Sequence, residues 1–140
     1  MRRRDLALIP LLFALPALAR AEEPKVETGQ YIDLAPVALP VAANKRLINY
    51  IFVSVRVNLS NGADALKLRD KEPFLRDALV RAGHRTPFTL VTDYTKIDEN
   101  KLKAALYRDA VAILGQRNVV SIAVISQTPK QRTGIPRPKP

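Results

Sequence analysis

No cysteine occurs among the 140 residues. Disulfides and thiolate metal ligands are therefore excluded, and stability has to come from packing alone. The single histidine, His84, stands next to Arg85, with no neighbour in sequence to orient it as a general base. The five glycines are isolated, which leaves no glycine-rich phosphate loop, and no serine sits in a G-x-S-x-G elbow. Asp93 and Asp98 share the stretch DYTKIDEN, but it lacks the glycine turn and ligand count of a calcium loop, and Asp98 reads as a helix cap. The chain thus reads as non-catalytic, with no cofactor and no metal.

Charge of one sign is abundant, at a formal net +10, but it is unevenly spread. The first 21 residues take three of those charges, through four arginines against Asp5. The tail from Gln127 takes four, through Lys130, Arg132, Arg137 and Lys139 with no acid. Only three remain for the middle, which shows neither a clustered basic face nor a pattern of stacking aromatics, so nucleic acid is not the expected partner.

Residues 1–21, MRRRDLALIPLLFALPALARA, have the layout of a secretory signal peptide. Arginines lead, a 14-residue apolar run follows, and small residues stand at Ala19 and Ala21 before Glu22. The run is shorter than the roughly 20 residues a spanning helix needs, and it contains Pro10 and Pro16. The expectation is export to a bacterial periplasm with cleavage between Ala21 and Glu22. An uncleaved signal anchor in the inner membrane is the alternative, kept open by Arg20.

The longest β-pattern is residues 47–59, LINYIFVSVRVNL. Leu47, Ile51, Val53, Val55, Val57 and Leu59 share one face, interrupted by Asn49. Ile48, Tyr50, Phe52, Ser54, Arg56 and Asn58 share the other. Before it, residues 22–30 read as a leader. Residues 31–41, YIDLAPVALPV, read as an edge or interrupted strand because Pro36 and Pro40 lack the ladder's amide proton. A four-residue connection, Ala42 to Lys45, makes the two a hairpin.

After the turn NLSNG, residues 63–82 are helical, with a kink or a fresh start expected at Glu72 ahead of Pro73 and a C-cap at Gly83. Residues 84–92 read as irregular, since Pro87 argues against a buried strand. Asp98 opens a second helix that Gly115 ends. Residues 119–126, VVSIAVIS, suit a buried strand, and residues 127–140 read as a disordered, basic, proline-rich tail. The expected fold is a single α+β domain over residues 31–126, in the order β-β-α-α-β, with a small, mainly antiparallel sheet packed against two helices.

YIDLAPVALPV, YIFVSVRVNL, EPFLRDALVRA and NVVSIAVIS, in that order, resemble flagellar basal-body-associated FliL-like proteins across residues 31–126, most specifically through the P-x-L-R-D segment from Pro73 to Asp77. The resemblance implies a periplasmic domain with a stomatin-like fold. It also implies ring-forming self-association, contact with the motor's ion-channel units, and support of stator assembly and motility without catalysis. Typical members keep a transmembrane helix after a cytoplasmic stub, where this chain has a cleavable layout.

Two surfaces carry functional weight. Tyr50, Phe52 and Arg56 form a partner or oligomer surface if helices cover only the other face of their strand. Lys130, Arg132, Arg137 and Lys139 suit an anionic membrane surface, which makes a peripheral envelope-binding module the alternative function. Sequencing the N-terminus of protein recovered from periplasmic and inner-membrane fractions checks the export reading. The expected result is soluble periplasmic protein starting at Glu22, whereas an intact Met1 in the membrane fraction marks an anchor.

Overall fold

The central element is β3 (Arg46–Leu59), a 14-residue strand with partners along both edges. In the computed structural model, which describes residues 29–139, β1 (Tyr31–Asp33), β2 (Val37–Ala43) and β4 (Val119–Pro129) all pair with it antiparallel. The signal segment, its cleavage site and most of the leader lie outside the described residues.

β1 and β2 lie end to end along one edge of β3. Asp33 is opposite Arg56, the Leu34 N–H donates to the Val55 carbonyl at 2.9 Å, and Val37 is opposite Val53. They are one strand broken at Ala35 and Pro36, as its prolines imply. β4 occupies the other edge, so four strands make a sheet three strands wide. The β2–β3 connection is tighter than expected. Only Asn44 and Lys45 turn the chain, and both have positive φ, at 50° and 61°. Such a pair of left-handed residues matches the twist of the flanking strands.

The odd-numbered side chains of β3 from Ile51 to Leu59 are buried. Three helices, α1 (Ala65–Arg69), α2 (Glu72–Arg85) and α3 (Glu99–Leu114), follow β3, and α2 and α3 supply most of the helical core. Leu75 and Leu79 of α2 and Leu102, Leu106 and Ala110 of α3 are almost wholly buried in the same cluster as Leu39, Val41 and the β3 residues. Each fully buried aliphatic side chain contributes about 1.5–3 kcal/mol, which a protein without disulfides has to draw from this layer. Among the described residues no helix is long and apolar enough to cross a membrane.

The protein is thus an α+β domain with a mainly antiparallel sheet. Its order, β-β-β-α-α-α-β, differs from the expected one through two splits, the proline break in the edge strand and a break between α1 and α2. Pro73 lies in the first turn of α2, as expected. Asp98 caps α3 by accepting from the Lys101 N–H at 3.2 Å, and Gly115 ends it at φ 96°.

Three boundaries are corrected. Gly83 is not a C-cap: it lies inside α2, which runs on to Arg85. A Cβ at Gly83 lies 2.9 Å from Leu39 Cδ2, so the glycine serves close helix–sheet approach. The stop comes from Pro87, which pushes Thr86 into an extended conformation. The leader ends earlier than residue 30, because Gln30 is tied to the fold: its carbonyl accepts from the Leu59 N–H and its side-chain amide donates to the Ala63 carbonyl at 2.9 Å. The tail starts later than residue 127, because β4 reaches Pro129 and Lys130 still donates its N–H to the Tyr50 carbonyl at 2.8 Å.

Replacing Gly83 with valine forces Leu39 out of a fully buried position. Gly83→Val is expected to lower the free energy of unfolding by about 1–3 kcal/mol, readable from denaturant melts.

Candidate functional site: the helix-free face of the sheet

Alternation along β3 that buries one set of side chains necessarily presents the other set on the far side, where among the described residues no helix packs. There the structure brings Tyr50, Phe52 and Arg56 onto one surface, spread along the strand. Phe52 is 45% exposed and Tyr50 is half-buried. Across β3, Ala38 and Thr128 lie opposite Phe52 on its two sides, and Pro40 lies opposite Tyr50. Ser54 faces Ser126, and the Asn58 amide donates to the Ser121 hydroxyl at 3.0 Å. The surface runs from aromatic and apolar at one end to hydroxyl and amide at the other.

Arg56 differs from the sequence expectation in being engaged. It donates through Nε and Nη2 to the two carboxylate oxygens of Asp33, its cross-strand partner, at 2.6 and 3.0 Å. Its guanidinium also lies 3.8 Å from the centre of the Tyr31 ring. Hydrogen bonding to Asp33 pushes the Arg56 pKa up, with the Asp33 charge adding to it. The charge of Arg56 is thus matched locally by Asp33 and its guanidinium lies over the Tyr31 ring, which leaves an aromatic patch with a paired rather than a free cation. Such patches suit protein contacts, where rigid aromatic and arginine groups carry much of the binding.

The edge beside this face is also open. Among the described residues β4 pairs only with β3, and in an antiparallel pair alternate residues turn their N–H and C=O groups away from the partner. Val120 and Ile125 on this strand are both more than half exposed. Toward its far end, a groove of about 530 Å³ lined by Lys96, Glu99, Ile125 and Gln127 follows the strand.

The other expected residues fall elsewhere. Lys130, Arg132, Arg137 and Lys139 are all exposed; Lys130 still pairs with β3 beside Tyr50, and the chain beyond it is tied to the loop after α2. Its path is set by Asn49, which sequence reading marked only as an interruption of an apolar face. Asn49 is 4% exposed. Its amide donates to the Gln131 carbonyl at 2.9 Å and the Tyr94 carbonyl at 3.3 Å, and its side-chain oxygen accepts the Gln131 N–H at 3.1 Å. The signal was present in the sequence: a polar side chain in an apolar alternation needs partners if it is buried.

His84 does not belong to the irregular stretch expected from residue 84; it stands in the last turn of α2 and donates through Nδ1 to the Val80 carbonyl at 2.8 Å. Asp93 accepts from the Thr95 hydroxyl at 2.6 Å and the Thr95 N–H at 2.9 Å, and these bonds lower its pKa. Its stabilising contribution is therefore present at neutral pH and is lost only as pH falls through that lowered value. Among the described residues, no three His, Asp or Glu side chains are grouped to hold a metal ion. In comparisons with known proteins, no family model and no curated protein matches the chain.

Asn49→Ala removes the clamp on Gln131 while leaving the β3 backbone intact. Limited trypsin digestion is expected to cut at Lys130 and Arg132 at least tenfold faster in this variant than in the parent chain.

Proposed function

We propose that this chain is a non-catalytic, exported scaffold that docks a protein partner, or a second copy of itself, on the helix-free face of its sheet. The observation that carries this reading is Phe52, an aromatic side chain 45% exposed at the middle of the central strand, flanked by Tyr50 and by the paired Arg56–Asp33–Tyr31 cluster. Large aromatic groups held at the centre of a flat surface are the usual anchors of protein interfaces. The open β4 edge adjoins this face and offers main-chain hydrogen bonds to an added strand.

The FliL-like resemblance supplies the setting: the cell envelope, next to the flagellar basal body, in support of stator assembly and motility. A second reading, a peripheral module on an anionic membrane surface, is favoured by the tail cations. Lys130, Arg132, Arg137 and Lys139 are exposed and, among the described residues, none is ion-paired.

The scaffold reading is tested by Phe52→Asp in the chromosomal copy of the gene. The folded domain tolerates the change, since the side chain already faces water. Cross-linked complexes recovered from cells are expected to fall at least tenfold, and swarming on soft agar to fall with them. Unchanged complexes overturn the docking face; reduced complexes with normal swarming retain the scaffold and remove the flagellar setting.

A further inference from the structure

Three segments remote in sequence converge at the hairpin end of the sheet. The turn residues Asn44 and Lys45 lead into Arg46 and Leu47, and Leu47 is the cross-strand partner of Ala42. Ala42 in turn holds the loop after α2. Its N–H donates to the Thr89 hydroxyl oxygen at 3.1 Å, and its carbonyl accepts from the same hydroxyl at 2.8 Å. Thr89 also bridges to Ile97, which closes residues 89–97 into a compact loop. Asn49 then fastens the tail to this loop through Tyr94 and Gln131. Beyond that clamp Arg132 and Arg137 line a groove of about 580 Å³ together with residues 92–95.

The chemistry gathered at this end is consistent. Two aliphatic side chains stand at the tips, Leu47 at 55% and Val91 at 71% exposure. The same three segments carry the exposed cations Lys45, Arg46, Lys96, Lys130 and Arg132, and among the described residues none of these is ion-paired. The nearby acids are already committed. Asp93 is bound by Thr95, Asp98 caps α3, and Glu99 accepts the Gln127 amide and pairs with Lys103. Exposed cations on the same segments as two exposed aliphatic groups match a surface that is anionic outside and hydrocarbon just beneath. A nucleic acid has no use for Leu47 and Val91, and the one ring of the residue 89–97 loop, Tyr94, is partly buried against the core rather than presented to stack a base.

We propose that the hairpin tip, the residue 89–97 loop and the clamped tail form one binding end for an anionic lipid surface, with Leu47 and Val91 entering the headgroup layer and the cations contacting lipid phosphates. The proposal deepens the membrane reading given above and rests on it, but it assigns the contact to an assembled end of the fold rather than to the tail alone.

Because the chain has no cysteine, an environment-sensitive fluorophore can be placed at single sites in the full chain: Leu47→Cys, Val91→Cys, Arg137→Cys, and Leu66→Cys as a control. Leu66 lies on α1, which packs beside β1 toward the opposite end of the sheet, and is 78% exposed. Site-specific labels separate this contact from any contribution of the apolar residues 6–19.

On phosphatidylglycerol vesicles at low salt, the labels at positions 47 and 91 are expected to shift to the blue. The label at 66 stays unshifted, and phosphatidylcholine vesicles give no shift at any of these sites. Each cation near an anionic surface changes partitioning about fivefold, so Lys45→Glu with Arg46→Glu should weaken the response at position 91 by about 25-fold or more. A shift at 137 without shifts at 47 and 91 overturns the assembled end and leaves tail-only binding. No shift at any site overturns the membrane reading as well, and equal shifts at 66 or on phosphatidylcholine overturn the specific contact.

Discussion

Everything in this fold depends on β3 having a neighbour on each edge and a different environment on each face. Its backbone is satisfied by β1 and β2 on one side and by β4 on the other, so no part of the sheet exists without it. A side-chain period of two then divides its residues between a layer that excludes water and a layer that meets it. A slip of one residue exchanges Val53 and Val55 for Phe52 and Ser54 in the core. The tight Asn44–Lys45 turn and the Arg56–Asp33 pair guard against that slip, one by fixing the hairpin and the other by matching charge across the far end of the strand.

Asn49 shows how one polar residue organises parts of the chain that share no pattern. Burying an amide in an otherwise aliphatic row is costly unless its donors and acceptor are met. Here they are met by backbone groups from the loop after α2 and from the segment after β4, together with the Tyr50 N–H. The cost of burial thus becomes a reason for those segments to lie where they do. Without such a clamp, residues rich in proline and cations have little apolar surface of their own to hold them against a domain.

The parts of the structure legible in the sequence are those where local pattern and tertiary demand agree. The alternation of β3, the proline break of the edge strand, the restart at Glu72 and the Asp98 and Gly115 helix ends all follow from side-chain chemistry at the position concerned. Gly83 was misread because a glycine near a helix end satisfies two descriptions, and only the position of Leu39 tells them apart. Gln127 and Thr128 read as tail because they are polar, yet a ladder is made by backbone and accepts any side chain that suits the exposed face. Gln127 is kept there by the Ile97 N–H and Glu99, partners that no periodicity reveals. Tyr50, Phe52 and Arg56 were legible as a face, whereas the capture of Arg56 by Asp33 and Tyr31 required the strand register. The grouping of Leu47 with Val91 was not legible at all, because it depends on hydrogen bonds between Ala42 and Thr89 across the fold.

The pairing of the central strand with the last one also sets an order of events. Leu59 is opposite Val119 and Ile51 is opposite Pro129, so the edge of β3 from Ile51 to Leu59 has no neighbour until β4 has been made. Until then the hairpin with β2 can close locally, but the layer of helices has only part of a sheet to settle on. Contacts this distant along the chain close slowly. A chain made from its N-terminus therefore stays unfinished as a folded body until β4 has followed, however early its hairpin closes.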